Sequence, residues 1–189
     1  MKTRSLRRLV AWTILILFPL AGWVGFAQKT ESRTKKKLAI SIKPQDLADA
    51  LRAVIASQRE VYSQQIAARS TDKTLANPCE MFRLSSENTA SKGVEFSYVL
   101  RSVRPIRQRN APETDVEKKG LEFVSTRPDQ AYYAEELLGG RWYFTAVYPD
   151  VAIHQSCVNC HNQHPASPKK DHRIGDVMGG VIVRVALEL

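Results

Sequence analysis

Apolar positions from Asp46 onward recur at helical spacing. Leu47, Leu51, Val54, Ile55, Gln58, Tyr62, Gln65 and Ile66 fall on one face, and Pro44-Gln45-Asp46 supplies a helix start, so one long helix is predicted over residues 46–68. Residues 70–78 read as a loop and 80–91 as a shorter helix stopped near Gly93. Residues 94–103 are rich in Val, Phe, Tyr and Leu and read as a strand ending before Pro105. Asn110-Ala111-Pro112 opens a further helix, with Glu113 and Asp115 in the first turn, where the helix dipole favours acids. Val116, Leu121 and Val124 can face a core there, and Arg127-Pro128 ends the helix. Two apolar-aromatic runs, 131–137 and 141–148, flank Gly139-Gly140 as a β-hairpin would. A short segment, 151–162, carries two cysteines and leads into a Pro-containing loop, 164–176. Residues 179–189 close the chain as a strand with Val181, Val183 and Val185 on one face. The order implies an α+β fold in which a long N-terminal helix packs with a small antiparallel sheet.

The first 27 residues have a different pattern. Lys2, Arg4, Arg7 and Arg8 precede an apolar run from Leu9 to Leu20, and Gly25-Phe26-Ala27 places small residues where a signal peptidase inspects the chain. Counted to Phe26, the same run is long enough for an uncleaved membrane anchor. Under either reading the basic end stays inside and the rest lies outside the cytoplasmic membrane, in the periplasm. Residues 28–44 then read as a polar, basic tether and 45–189 as a single domain. With 43% apolar and 25% charged residues overall, the chain can build a core. The net charge is +9, but the four N-terminal cations account for part of it and leave +5. Without clustered Lys/Arg among groove-reading or stacking elements, nucleic-acid binding is not expected. Lys35-Lys36-Lys37 reads as solvated linker or as a contact with anionic head groups.

The cysteines change the picture. Cys157-Val158-Asn159-Cys160-His161 has the CxxCH spacing of c-type haem attachment. Residues i and i+3 share a helix face, so both sulfurs can reach the vinyl groups along one porphyrin edge. His161 can then serve as the proximal iron ligand. Three other uses compete. A disulfide across so short a loop is strained. A thioredoxin-like dithiol sits early in its fold, whereas only 29 residues follow Cys160. A zinc site needs a second ligand pair farther away than His164. Export favours haem as well, because c-type attachment occurs on the outer side of the bacterial membrane. A second CxxCH is absent, so one covalent haem c is expected. His154, placed on the same short helix, and His164 and His172, in the loop, read as polar residues rather than ligands.

The C-terminal half resembles the bacterial c-type haem sensor domain of PAS-like fold, a family related to a cyanobacterial single-haem protein. The likeness rests on the CxxCH, the following Asn162-Gln163-His164-Pro165 and Ser167-Pro168, and Gly175-Asp176-Val177-Met178-Gly179-Gly180. Gly120-Leu121-Glu122-Phe123 and the hairpin from Leu137 through Gly139-Gly140-Arg141 to Tyr148-Pro149 add to it. The resemblance covers residues 45–189 and implies a PAS-like domain with haem at the sheet's edge and a role in redox or ligand sensing.

Some relatives carry a cysteine on the long helix suited to be the sixth iron ligand; this chain has none there. Tyr62 lies near that place and Cys79 comes one loop later, and ordinary packing explains both. The expectation is a weak or absent sixth ligand and a haem open to small molecules. Three functions remain. A sensor would act through a redox or signalling partner outside the cytoplasm. An electron carrier needs only the haem and an exposed edge. An enzyme such as a peroxidase needs a distal acid–base pair that the sequence does not display, so no enzymatic activity is expected.

Overall fold

The computed structural model describes residues 42–68 and 77–187, within a compact unit spanning Ile42–Leu189. The predicted export segment, nearly all of the tether and most of the 70–78 loop lie outside the described residues. Four strands form one antiparallel sheet: β1 (Phe96–Arg101), β2 (Tyr132–Leu138), β3 (Arg141–Val151) and β4 (Val177–Ala186), in the order β1-β4-β3-β2. The helices are α1 (Pro44–Ala68), α2 (Pro78–Ala90), α3 (Asp115–Val124) and α4 (Gln155–Gln163). The α+β class and the hairpin therefore match the sequence reading. Gly139 and Gly140 take φ of 58° and 82°, the positive values a two-residue hairpin turn demands.

Alternation along β4 divides the core. Val181, Val183 and Val185 face Ala48 and Ile55 of α1 and Phe82 of α2, with Tyr98, Ala146 and Tyr148. Ile182 and Val147 face Leu121 and Val124 of α3 on the other side. Gly120 lets α3 approach the sheet closely: a Cβ there would stand 2.5 Å from Val147 Cγ2.

Three expectations need correction. The buried stripe of α1 is Ala48, Ile55, Arg59 and Ser63, while Val54 is 55% exposed. The buried face is turned about one position round from the predicted one, because it includes the polar Arg59 and Ser63, which a search for apolar positions passes over. The helix expected from Asn110 begins at Asp115 instead; Gln108–Asn110 is a 3₁₀ turn, and the Thr114 side chain caps α3 by accepting from the Glu117 amide. His154 is not within α4 but is its N-cap, its ring nitrogen accepting from the Ser156 amide.

A polar network is sealed behind β3 and β4. Glu117, fully buried, accepts from Arg184 at 2.7 Å and from the Glu113 amide at 2.5 Å. Arg184 Nε reaches Glu136 at 2.8 Å, and the Thr145 hydroxyl donates to the same carboxylate oxygen at 2.7 Å. Burial would raise the Glu136 pKa, but the hydrogen bonds from Thr145 and Arg184 outweigh it and hold the carboxyl below its usual range.

Candidate functional site

Strand β3 ends in a register irregularity between Asp150 and Val151, and the chain turns from there into α4. The His154 cap starts α4, and helical spacing then sets Cys157, Cys160, His161 and His164 along one side. The other end is tied as well. The Asn162 side chain donates to the His172 carbonyl and accepts from its amide, both at 2.9 Å, clamping the 164–176 loop against the helix. This clamp brings the His172 ring edge-on to His161, with centroids 5.5 Å apart. His172, read from sequence as a loop residue, is therefore half-buried beside His161, and its Nδ1 is buried with no hydrogen-bond partner.

Beside edge strand β1 lies a cavity of about 330 Å³, within the ordinary range for ligand pockets of ~300–1,000 Å³. Cys160, His161 and His164 line one side and α2 the other, from Cys79 to Glu87. The end of β1, residues 102–110, Met178 and Gly179 complete the wall. Cys157 is half-buried, packs with Ala152, Val158 and Met178, and is not itself among the lining residues. All three cysteines are free thiols. Among the described residues, no three His, Cys, Asp or Glu side chains gather as a metal site would require.

The two distal candidates separate. Cys79, in the first turn of α2 after Pro78, lines the cavity with Cys160 and His161. Tyr62 is half-buried on α1 and is not among the lining residues. Cys79 is exposed to the cavity yet surrounded by protein, and that desolvation raises its pKa; Arg59 opposes the shift. Burial lowers the His161 pKa, and the charges of His172, Arg59 and His164 lower it further. A neutral imidazole, the form that ligates iron, is thus favoured near neutral pH.

Two buried charges escaped the sequence reading. Arg59 of α1 donates to Asp150 at the end of β3, with side chains only 11% and 6% exposed. The signal was present: Arg59 stands one turn after Ile55 on the buried stripe, and Asp150 interrupts an apolar strand. A cluster of arginines also borders the cavity. Arg83 pairs with Glu80 and with both oxygens of Glu87, at 2.6 and 2.7 Å. Arg107 and Arg109 reach Glu80 Oε2 at 3.3 and 3.9 Å. The Arg83 hydrogen bond, followed by the cationic field of the cluster, lowers the Glu80 pKa.

A family model described as Tll0287-like matches residues 37–186. The chain belongs to the Tll0287-like family. The crystal structure of the cyanobacterial heme-protein Tll0287 resembles it with a TM-score of 0.51, at 17% identity, over 78% of this chain and 98% of that one. At that identity the likeness concerns the fold. No curated protein matches this chain. In Tll0287-like terms, the cavity and α4 both fall inside the matched region.

Proposed function

We propose that this chain is an exported protein carrying one c-type haem, bound by thioethers from Cys157 and Cys160 and ligated by His161, in a PAS-like domain outside the cytoplasm. The observation that carries the reading is the convergence of Cys160, His161 and Cys79 on one cavity, with Cys157 three residues before Cys160 on the same helix. The residues fit the group. The sulfurs have i,i+3 spacing, the proximal imidazole is kept neutral, and the wall is apolar at Phe82, Val99, Leu100, Ile106 and Met178. Kinship with a family that includes a cyanobacterial heme-protein supports it. When bound, the haem supplies a one-electron couple and an iron coordination position.

Of the two distal candidates Cys79 is preferred over Tyr62, because Cys79 lines the cavity and Tyr62 does not; a site open to small molecules is the other outcome of the spectra below. The Cys79 thiol is protonated in the free chain, so ligation displaces a proton, and the nearby Arg59 charge favours the thiolate. A replaceable thiolate suits a redox or small-ligand sensor working through a partner, and no enzymatic step is assigned. One observation favours the electron-carrier alternative: Cys160 is exposed, and Ile153 and Ile174 near α4 are 49% and 54% exposed, as an accessible haem edge would need.

The test is extraction with acidified acetone together with spectra of wild type, Cys79→Ser and Tyr62→Phe. Haem is expected to stay with the polypeptide, and Cys79→Ser alone is expected to turn a low-spin spectrum high-spin. Extractable porphyrin refutes the covalent reading, and an unchanged Cys79→Ser spectrum refutes the ligand. Carbon monoxide or nitric oxide binding to the ferrous form separates sensor from carrier.

A further inference from the structure

We propose that Arg107 and Arg109 bind the propionates of the haem, with Glu80 holding their place in the free chain. The inference rests on the haem reading above. In a porphyrin the two propionates stand on the edge opposite the vinyl groups. Thioethers from α4 therefore direct the propionates away from α4, and the cavity extends from Cys160 and His161 to the second and third turns of α2 at Arg83, Ser86 and Glu87.

The walls between are apolar at Phe82, Val99, Leu100, Ile106 and Met178, while Arg101 and Asp150, which also line the cavity, are paired outside it with Glu113 and Arg59; the remaining charge is concentrated toward α2 and the 102–110 segment. Four arginines line it there, Arg83, Arg104, Arg107 and Arg109, against two carboxylates, Glu80 and Glu87. The excess of two cations matches two propionates. An apolar wall with a cationic end is what an amphiphilic porphyrin needs.

The existing pairs are poor ones. Arg107 and Arg109 converge on a single oxygen at 3.3 and 3.9 Å, and their side chains are 53% and 52% exposed. A guanidinium binds a carboxylate best through two parallel hydrogen bonds, which neither makes with Glu80. Both can turn to a better carboxylate with little loss, whereas Arg83 already has a two-oxygen partner in Glu87.

The experiment uses purified haem-loaded protein: wild type, Arg107→Gln/Arg109→Gln, and Glu80→Gln. Resonance Raman spectra report propionate bending modes, and titration reports the midpoint potential. The double variant is expected to shift the propionate modes and lower the potential, since two cations that disfavour ferric iron are gone. Glu80→Gln, which releases the arginines, is expected to move both in the opposite direction. If the double variant loads poorly, Arg107→Lys and Arg109→Lys singly keep charge without the fork, and a smaller mode shift in each supports the proposal. Unchanged modes with haem still covalently attached overturn the proposal while leaving the haem reading intact. Unchanged modes with altered, salt-dependent binding to an acidic redox protein overturn it in favour of a docking patch. Wild type without bound porphyrin overturns both.

Discussion

Replacing Arg59 by leucine removes one half of a buried ion pair and leaves Asp150 uncompensated where α1 meets the end of β3. Both side chains are nearly sealed, at 11% and 6% exposure, so water cannot replace the lost guanidinium. Removing one member of such a pair costs about 3–5 kcal/mol. At about 2–4 °C per kcal/mol for a chain of this size, the melting temperature should fall by roughly 6–20 °C. Leucine preserves much of the stem packing, so the loss reports charge rather than volume. An internal control is the pair between Arg141 and Glu95, equally well made at 2.6 Å but 37% and 52% exposed. Breaking it with Glu95→Gln should cost about 0.2–1 kcal/mol. Urea unfolding followed by far-ultraviolet circular dichroism measures both, and Arg59→Leu/Asp150→Leu should recover much of the deficit. If Arg59→Leu costs no more than Glu95→Gln, the pair is not the buried clasp described. The same variant removes the cation that lowers the Cys79 pKa, so a thiolate-ligated spectrum should appear only at higher pH.

Glu117→Leu should cost about 3–5 kcal/mol in the same assay, because Arg184 loses a buried partner at 2.7 Å; a loss below about 1 kcal/mol contradicts the network. Gly120→Ala gains about 1 kcal/mol of helix propensity, yet its Cβ would meet Val147 Cγ2 at 2.5 Å and Tyr132 Cδ1 at 2.9 Å. Overpacking at about 1–3 kcal/mol should win, and a stabilised variant would show that α3 has room to move. Glu136 has a depressed pKa in the folded protein. Its contribution is therefore present above the unfolded carboxyl value and disappears as pH falls through the lower folded value. Glu136→Gln should flatten the acid limb of a stability–pH curve and leave its alkaline limb alone.

Local chemistry made some features legible. The two glycines could only be a hairpin turn, and Val181, Val183 and Val185 could only line one face. The shared side of Cys157, Cys160 and His161 was legible because that spacing is a property of one helix turn. What stayed hidden depends on contacts between elements. Arg59 resembles any surface arginine until Asp150 is placed beside it, so the buried face of α1 lies partly on polar residues that apolar periodicity does not mark. His172 sits far from His161 along the chain, and only the Asn162 clamp joins them. Cys79 against Tyr62 was undecidable for the same reason: both are near the long helix in sequence, but only the pairing of α2 with β1 decides which one faces the cavity. The helix expected at Asn110 failed on turn chemistry, since Thr114 with the Glu117 amide makes a better start than Asn110 before Pro112.

The two sides of the cavity are built differently, and that bears on sensor against carrier. On the α4 side, the break after Asp150, the His154 cap and the Asn162 clamp fix both ends of the helix that bears the motif. The Ala152 amide donates to the Asp176 carbonyl and the Gly175 amide to the Ala152 carbonyl, both at 2.9 Å, closing the loop behind it. On the α2 side, Phe82 is buried in the core and Ser85 and Ser86 hydrogen-bond Tyr98 of β1, so the middle of the helix is held to the sheet; its first turn, near Cys79, rests on the Asn77 cap and on Glu80, whose arginine partners are partly exposed. Breaking exposed pairs of that kind costs about 0–1 kcal/mol, so the first turn of α2 can shift without the rest of the helix leaving the sheet. If Cys79 ligates the iron, a ligand change there asks only the first turn of α2 to move, which is what a sensor needs. A carrier, whose rate falls with every rearrangement on electron transfer, gains nothing from a ligand on a loosely held turn. Spectra of the oxidised and reduced protein put the two side by side: loss of a thiolate-type spectrum on reduction means that Cys79 lets go, and retention of it in both states means that the domain only passes electrons.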